Sequence, residues 1–166
     1  VAGESTVIAS NTSSMSIAEL GAALTDPGRF IGMHFFNPVP ASLLVEIVRA
    51  PQTRPEVVDS VRAWVSMLGK AEVLVNDSPG FATSRLGVGL GLEAIRMLEE
   101  GVADEESIDR AMELGYRHPM GPLRSTELVG LDVRLAIAEH LARTLGERFA
   151  PPALLREKVA RGELGR

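Results

Sequence analysis

The rhythm of apolar and polar positions changes near residue 77. Before it, short β-branched runs alternate with helical patterns; after it, only helical spacing recurs. Thr6-Val7-Ile8-Ala9-Ser10 predicts a strand, with the polar cluster Asn11-Thr12-Ser13-Ser14 at its carboxyl end. Ser16 predicts a helix cap with Glu19 three residues on, and Ile17, Leu20 and Leu24 recur at helical spacing until Asp26-Pro27-Gly28. Residues 29–36 and 43–49 predict two strands. Pro55 opens a helix with Val57, Val58, Val61, Val65 and Leu68 on one face; Gly69 ends it, and residues 71–75 predict a further strand. Asp77-Ser78-Pro79 predicts a helix start, Ser78 as cap and Pro79 as its first residue. Helices are then predicted over 80–100, 104–114, 121–128, 131–147 and 151–161, separated by Gly101, Gly115 and Gly130.

This is the late part of an α/β sheet domain over residues 1–77, followed by an all-α helical domain over 78–166. Such sheets use about five or more strands with both faces covered. Four are predicted here, so the sheet is expected to be completed by chain preceding Val1 or by another polypeptide. Composition narrows the class. The 166 residues are 45% hydrophobic and 23% charged, as in a soluble globular protein. A net charge of −5 argues against a nucleic-acid partner, which a basic stripe would serve. The absence of cysteine excludes disulfides, zinc–thiolate sites and thiol nucleophiles. No apolar run reaches the roughly 18 residues of a membrane span. Val1-Ala2-Gly3-Glu4-Ser5 lacks the layout of a secretory signal, so a cytoplasmic protein is expected. Three widely scattered histidines predict no metal site.

The strongest chemical signal is His34-Phe35-Phe36-Asn37-Pro38-Val39-Pro40 followed by Leu43-Leu44-Val45-Glu46-Ile47-Val48. If the chain reverses at Pro40, residues whose numbers sum to 80 face each other, and Glu46 lies opposite His34. A carboxylate there fixes an imidazole's tautomer and raises its basicity, as a proton-transfer site requires. The same spacing also fits an ordinary hairpin carrying one exposed His and one exposed Glu. Ser13, just past a strand end, is placed to meet a ligand, whereas Ser14 or Ser16 serves as a cap. Gly87-Val88-Gly89-Leu90-Gly91 is not a nucleotide loop: its spacing is wrong and it lies within a helical pattern. Glycines four apart at 87 and 91 instead let another helix approach closely. Ser13, His34 and Glu46 lack the Gly-x-Ser-x-Gly elbow of a hydrolase.

Four blocks, Ser10-Asn-Thr-Ser-Ser14, His34-Phe-Phe-Asn-Pro-Val-Pro40, Asp77-Ser-Pro-Gly-Phe81 and Pro119-Met-Gly-Pro122, resemble the L-3-hydroxyacyl-CoA dehydrogenases, the 3-hydroxybutyryl-CoA type above all. The likeness runs in order through nearly the whole chain. It implies a Rossmann NAD-binding domain, of which residues 1–77 are the later strands, and a helical domain that binds substrate and forms a homodimer. The family's Gly-x-Gly-x-x-Gly fingerprint would lie before Val1, and Arg161-Gly-Glu-Leu-Gly-Arg166 resembles the start of its closing Gly-rich segment. The implied activity is NAD-dependent oxidation of a short (3S)-hydroxyacyl-CoA, with 3-hydroxyadipyl-CoA or a free hydroxy acid as alternative substrates. A non-catalytic helical dimerisation module is the alternative outside enzymes. By the same resemblance His34 is the catalytic base, Glu46 its orienting carboxylate, Ser13 a contact to both substrate and nicotinamide, and Asn37 a cofactor contact. Ser84 stands where many members carry asparagine, and a serine hydroxyl can make a similar bond at shorter reach.

Overall fold

The structure, a computed structural model, describes Gly3 and residues 5–165. Val1, Ala2, Glu4 and Arg166, on which the expectations about the chain ends draw, lie outside the described residues. Chain order is β1 (Ile8–Ser10), α1 (Ile17–Gly21), β2 (Phe30–Phe35), β3 (Leu44–Arg49), α2 (Pro55–Met67) and β4 (Ala71–Asn76), then α3 (Thr83–Glu99), α4 (Glu105–Gly115), α5 (Pro122–Val129), α6 (Leu131–Leu145) and α7 (Ala153–Ala160). Single turns of 3₁₀ helix form at Pro27–Arg29 and Glu147–Phe149. The chain divides into two compact units, one ending at Ala82 and the other starting at Thr83. This is the expected partial α/β sheet followed by helices. No helix among the described residues is long and apolar enough to cross a membrane.

In the first unit the sheet order is β1-β2-β3-β4. β1 and β2 are parallel, β2 and β3 antiparallel, and β3 and β4 parallel. Alternation along β2 and β3 divides the apolar residues between two faces. Ile31, Val45 and Ile47 pack with Val57, Val58, Val61 and Val65 of α2. Phe30 and Val48 pack with Ile17 of α1 and with Phe81. α2 ends as its sequence predicts: Gly69 has φ 69°, its N–H donates to the Ser66 carbonyl and the Lys70 N–H to the Val65 carbonyl. Ser16 caps α1 by accepting from the Glu19 N–H.

Expected boundaries move at several helix ends: α1 stops at Gly21, short of Asp26-Pro27-Gly28, and passes into tighter turns in which the N–H groups of Ala23 and Leu24 donate to the carbonyls of Leu20 and Gly21, and α3 starts late. The helix placed from Pro79 begins instead at Thr83. Gly80 and Phe81 both take left-handed backbone, with φ 74° and 51°, which no right-handed helix can incorporate. Residues 79–82 therefore form a turn, closed by a bond from the Phe81 N–H to the Ser78 carbonyl.

The helical unit has its own core, built on Val88, Leu92, Ile95, Leu123, Leu141 and Leu155. Its glycines behave differently. A Cβ at Gly91 would lie 2.4 Å from the hydroxyl oxygen of buried Thr126, so the missing side chain is what lets α5 approach α3. A Cβ at Gly87 would meet nothing nearer than an Arg134 Nη1 at 3.8 Å. Gly91→Ala is expected to destabilise by about 1–2 kcal/mol through overpacking, and Gly87→Ala to stabilise by about 0.5–1 kcal/mol through helix propensity. Urea unfolding of both variants checks the opposite signs.

Asp104 caps α4, accepting from the Ser107 N–H at 2.8 Å. The Ser107 hydroxyl first, and its N–H second, hold this carboxyl below the ordinary aspartate value. A depressed folded-state pKa gives stability that is present above the unfolded value and lost as pH falls through the folded one. Asp104→Ala is therefore expected to lower the Tm at neutral pH, by a margin that shrinks once the pH drops below about 4. Thermal unfolding across pH 2–8 tests this.

Candidate active site

The β2–β3 hairpin is built around a short turn. The Asn37–Pro38 peptide is cis, and the Pro38 carbonyl accepts from the N–H groups of Ala41 and Ser42, each at 3.0 Å. Lys70 braces the turn from outside, its Nζ donating to the carbonyls of Val39 at 2.7 Å and Ser42 at 2.5 Å. The register that results sets Gly32 opposite Val48 and His34 opposite Glu46. Because strand residues alternate in direction, both side chains emerge on the face that carries Phe30, Val48 and Phe81.

There the imidazole Nδ1 of His34 lies 2.8 Å from Glu46 Oε2. His34 is 5% exposed and Glu46 0%, so this is a buried couple rather than two surface groups on an ordinary hairpin. An ionised carboxylate can only accept, so Nδ1 carries the proton and Nε2 is left as the acceptor nitrogen. A carboxylate without exposure is costly unless donors satisfy it. Glu46 Oε1 accepts from the Ala82 N–H at 3.0 Å. The ring of His34 is flanked by Phe36, centroids 4.4 Å apart, and by the edge of Phe81 at 5.9 Å.

β1 and β2 run parallel with Ser10 beside Gly32, so the Asn11–Ser14 loop and the His34–Asn37 segment leave the sheet at the same end. Asn11 joins them, its Oδ1 accepting from the Phe35 N–H at 2.9 Å. Two neighbouring hydroxyls serve the backbone: Ser10 Oγ accepts from the Thr12 N–H, and Thr12 Oγ1 from the Met15 N–H. Ser13 is exposed beyond them, as is Asn37 past the end of β2. Ser13 and Asn37 thus offer a hydroxyl and an amide at the carboxyl ends of two parallel strands, where ligands of open α/β sheets bind. This donor set fits the carboxamide and hydroxyls of a nicotinamide nucleoside. Ser84 belongs to the other unit, half-buried in the first turn of α3. The remaining histidines also lie there, His140 in α6 and His118 between α4 and α5.

Sequence reasoning assigned no role to four residues that shape the site. In the sequence Asp77 belongs to a helix-start signal and to one of the four family blocks. Its Oδ2 instead accepts from Ser16 Oγ and the Ala18 N–H, both at 2.8 Å, and so anchors α1 and the loop before it. Asn11 and Lys70 act through contacts more than twenty residues away, which no local pattern reveals. Phe81 had one available signal: a glycine followed by a large apolar residue in a predicted first helical turn.

Comparison with known proteins gives a consistent result. The family model for 3-hydroxyacyl-CoA dehydrogenase, NAD binding domain, matches residues 1–78, and that for 3-hydroxyacyl-CoA dehydrogenase, C-terminal domain, matches residues 80–166. The chain is 47% identical over 161 residues to a probable 3-hydroxybutyryl-CoA dehydrogenase of Deinococcus radiodurans, covering 96% of this chain and 58% of that protein. It is 41% identical to the mitochondrial hydroxyacyl-coenzyme A dehydrogenase of Sus scrofa, covering 99% of this chain and 53% of that one. Among solved structures, the (S)-3-hydroxybutyryl-CoA dehydrogenase of Ralstonia eutropha superposes with a TM-score of 0.95 at 46% identity, over 99% of this chain and 58% of that one. The chain thus spans just over half the length of these relatives.

Proposed function

The chain belongs to the 3-hydroxyacyl-CoA dehydrogenase family, and from that premise we propose that the protein interconverts a short (3S)-hydroxyacyl-CoA and its 3-ketoacyl-CoA, with NAD as the redox partner. The observation that carries this reading is the buried His34–Glu46 couple, 2.8 Å apart, with Nε2 left as acceptor. When bound, the nicotinamide supplies the acceptor for the hydride leaving C3. The proton is the work of this chain. His34 Nε2 takes it from the 3-hydroxyl and returns it in the reverse direction. Glu46 holds the ring and stabilises the imidazolium that forms. The Ser13 hydroxyl donates to the substrate oxygen on the nicotinamide side, and Asn37 contacts the cofactor. Ser84 donates to the reacting carbonyl, directly or through a water.

In this reading residues 1–77 complete the cofactor domain, and residues 78–166 bind the acyl-CoA and form a homodimer. Separate family models, one for an NAD binding domain over residues 1–78 and one for a C-terminal domain over residues 80–166, support the division into two parts.

The test is NADH oxidation with acetoacetyl-CoA by the full-length protein. His34→Ala is expected to lower kcat by about 10³-fold, and Glu46→Gln by about 10²-fold with KM little changed. Ser84→Ala is expected to cost about tenfold in kcat/KM. Full turnover by His34→Ala would refute the assignment of the base.

A further inference from the structure

The turn between β4 and α3 contains a costly feature. A bulky residue rarely takes left-handed backbone, yet Phe81 does so at φ 51°, directly after Gly80 at φ 74°. Phe81 is also 4% exposed, so its ring is committed to the interior. Such a conformation persists when its surroundings require it. Two contacts identify the requirement. The next N–H along the chain, that of Ala82, donates to Glu46 Oε1 at 3.0 Å. The Phe81 ring meets the His34 ring edge-on, at 5.9 Å and 62°. An extended or right-handed Phe81 would rotate the Ala82 N–H away from the carboxylate and withdraw the ring from the imidazole.

We propose that Gly80-Phe81-Ala82 is a positioning device for the His34–Glu46 couple. The left-handed backbone aims the Ala82 N–H at Glu46 Oε1, which holds Oε2 in line with His34 Nδ1, while the Phe81 ring closes one side of the imidazole. None of the three residues needs to touch substrate. Phe81 and Ala82 act through Glu46 and His34, and the inference rests on the reading of His34 as the base. It accounts for a buried phenylalanine at a backbone position where glycine is the unstrained choice. Glycine would satisfy the turn but remove the wall beside His34.

The decisive variant replaces Ala82 by lactic acid in the full-length protein. This exchanges the N–H for an ester oxygen and leaves every side chain in place. With that donor gone, kcat is expected to fall about tenfold or more while KM stays within about twofold, the scale of a hydrogen bond to a charged group. In cofactor-free protein the downfield Nδ1–H resonance of His34, identified by its loss in His34→Ala, is expected to broaden or vanish. Phe81→Gly, which keeps the left-handed turn, is expected to retain that resonance. Phe81→Val, whose β-branch rejects this backbone, is expected to lose it.

A folded ester variant with unchanged kcat overturns the proposal. So does Phe81→Val with a resonance as sharp as the parent's. Should Phe81→Val fail to fold, the ester and glycine variants decide the matter. Full activity in His34→Ala would defeat the assignment of the base alone, because the resonance comparison judges the turn without turnover.

Discussion

A carboxylate with no exposed surface in the middle of a sheet must find donors, and Glu46 organises its surroundings by that need. One oxygen is matched by the imidazole of His34 and the other by the Ala82 N–H. Each partner constrains a separate piece of chain. Matching His34 requires the hairpin register that turns about Pro40; a one-residue slip of β3 against β2 would turn Glu46 to the α2 face, away from His34. Matching Ala82 requires the left-handed turn that postpones α3 to Thr83. The charge that would destabilise an isolated buried group thus sets the strand register and the geometry of the next turn.

Three other polar side chains extend this organisation outward. Asn11 ties the loop after β1 to the backbone beside His34, Asp77 anchors the start of α1, and Lys70 holds two carbonyls of the hairpin turn. Each satisfies backbone groups that a strand end, a helix end or a turn leaves unpaired, a contribution of about 1 kcal/mol apiece. They also place Ser13 and Asn37 at the same end of the sheet without using either side chain as a strut. The loop spends its structural hydroxyls at Ser10, Thr12 and Ser16 and keeps Ser13 exposed.

The helical unit uses similar means. α5 begins without a side-chain cap of its own, and Asp109 of α4 supplies one, accepting from the N–H groups of Leu123 at 2.7 Å and Arg124 at 2.9 Å. Glu113, also of α4, accepts from the Gly121 N–H at 2.9 Å. A Cβ at Gly121 would overlap Asp109, so the glycine in Pro119-Met120-Gly121-Pro122 is fixed by close approach of α4. Arg96 of α3 closes another gap by donating to the Ala150 carbonyl at 2.9 Å.

The sequence by itself determines element type and order, because periodicity, caps and turn residues act over a few neighbouring positions. Ser16 before α1, Gly69 after α2 and the apolar stripe Val57-Val58-Val61-Val65 each announce themselves this way. It also carries the His34–Glu46 pairing, since hairpin symmetry about Pro40 is a local relation between adjacent strands. Tertiary structure alone decides the start of α3, the cap from Asp77 onto a helix some sixty residues earlier, and the Ala82 donor to Glu46. The reason is physical. Those outcomes follow from satisfying buried or unpaired polar groups with partners distant in the chain, and only packing determines which groups become neighbours.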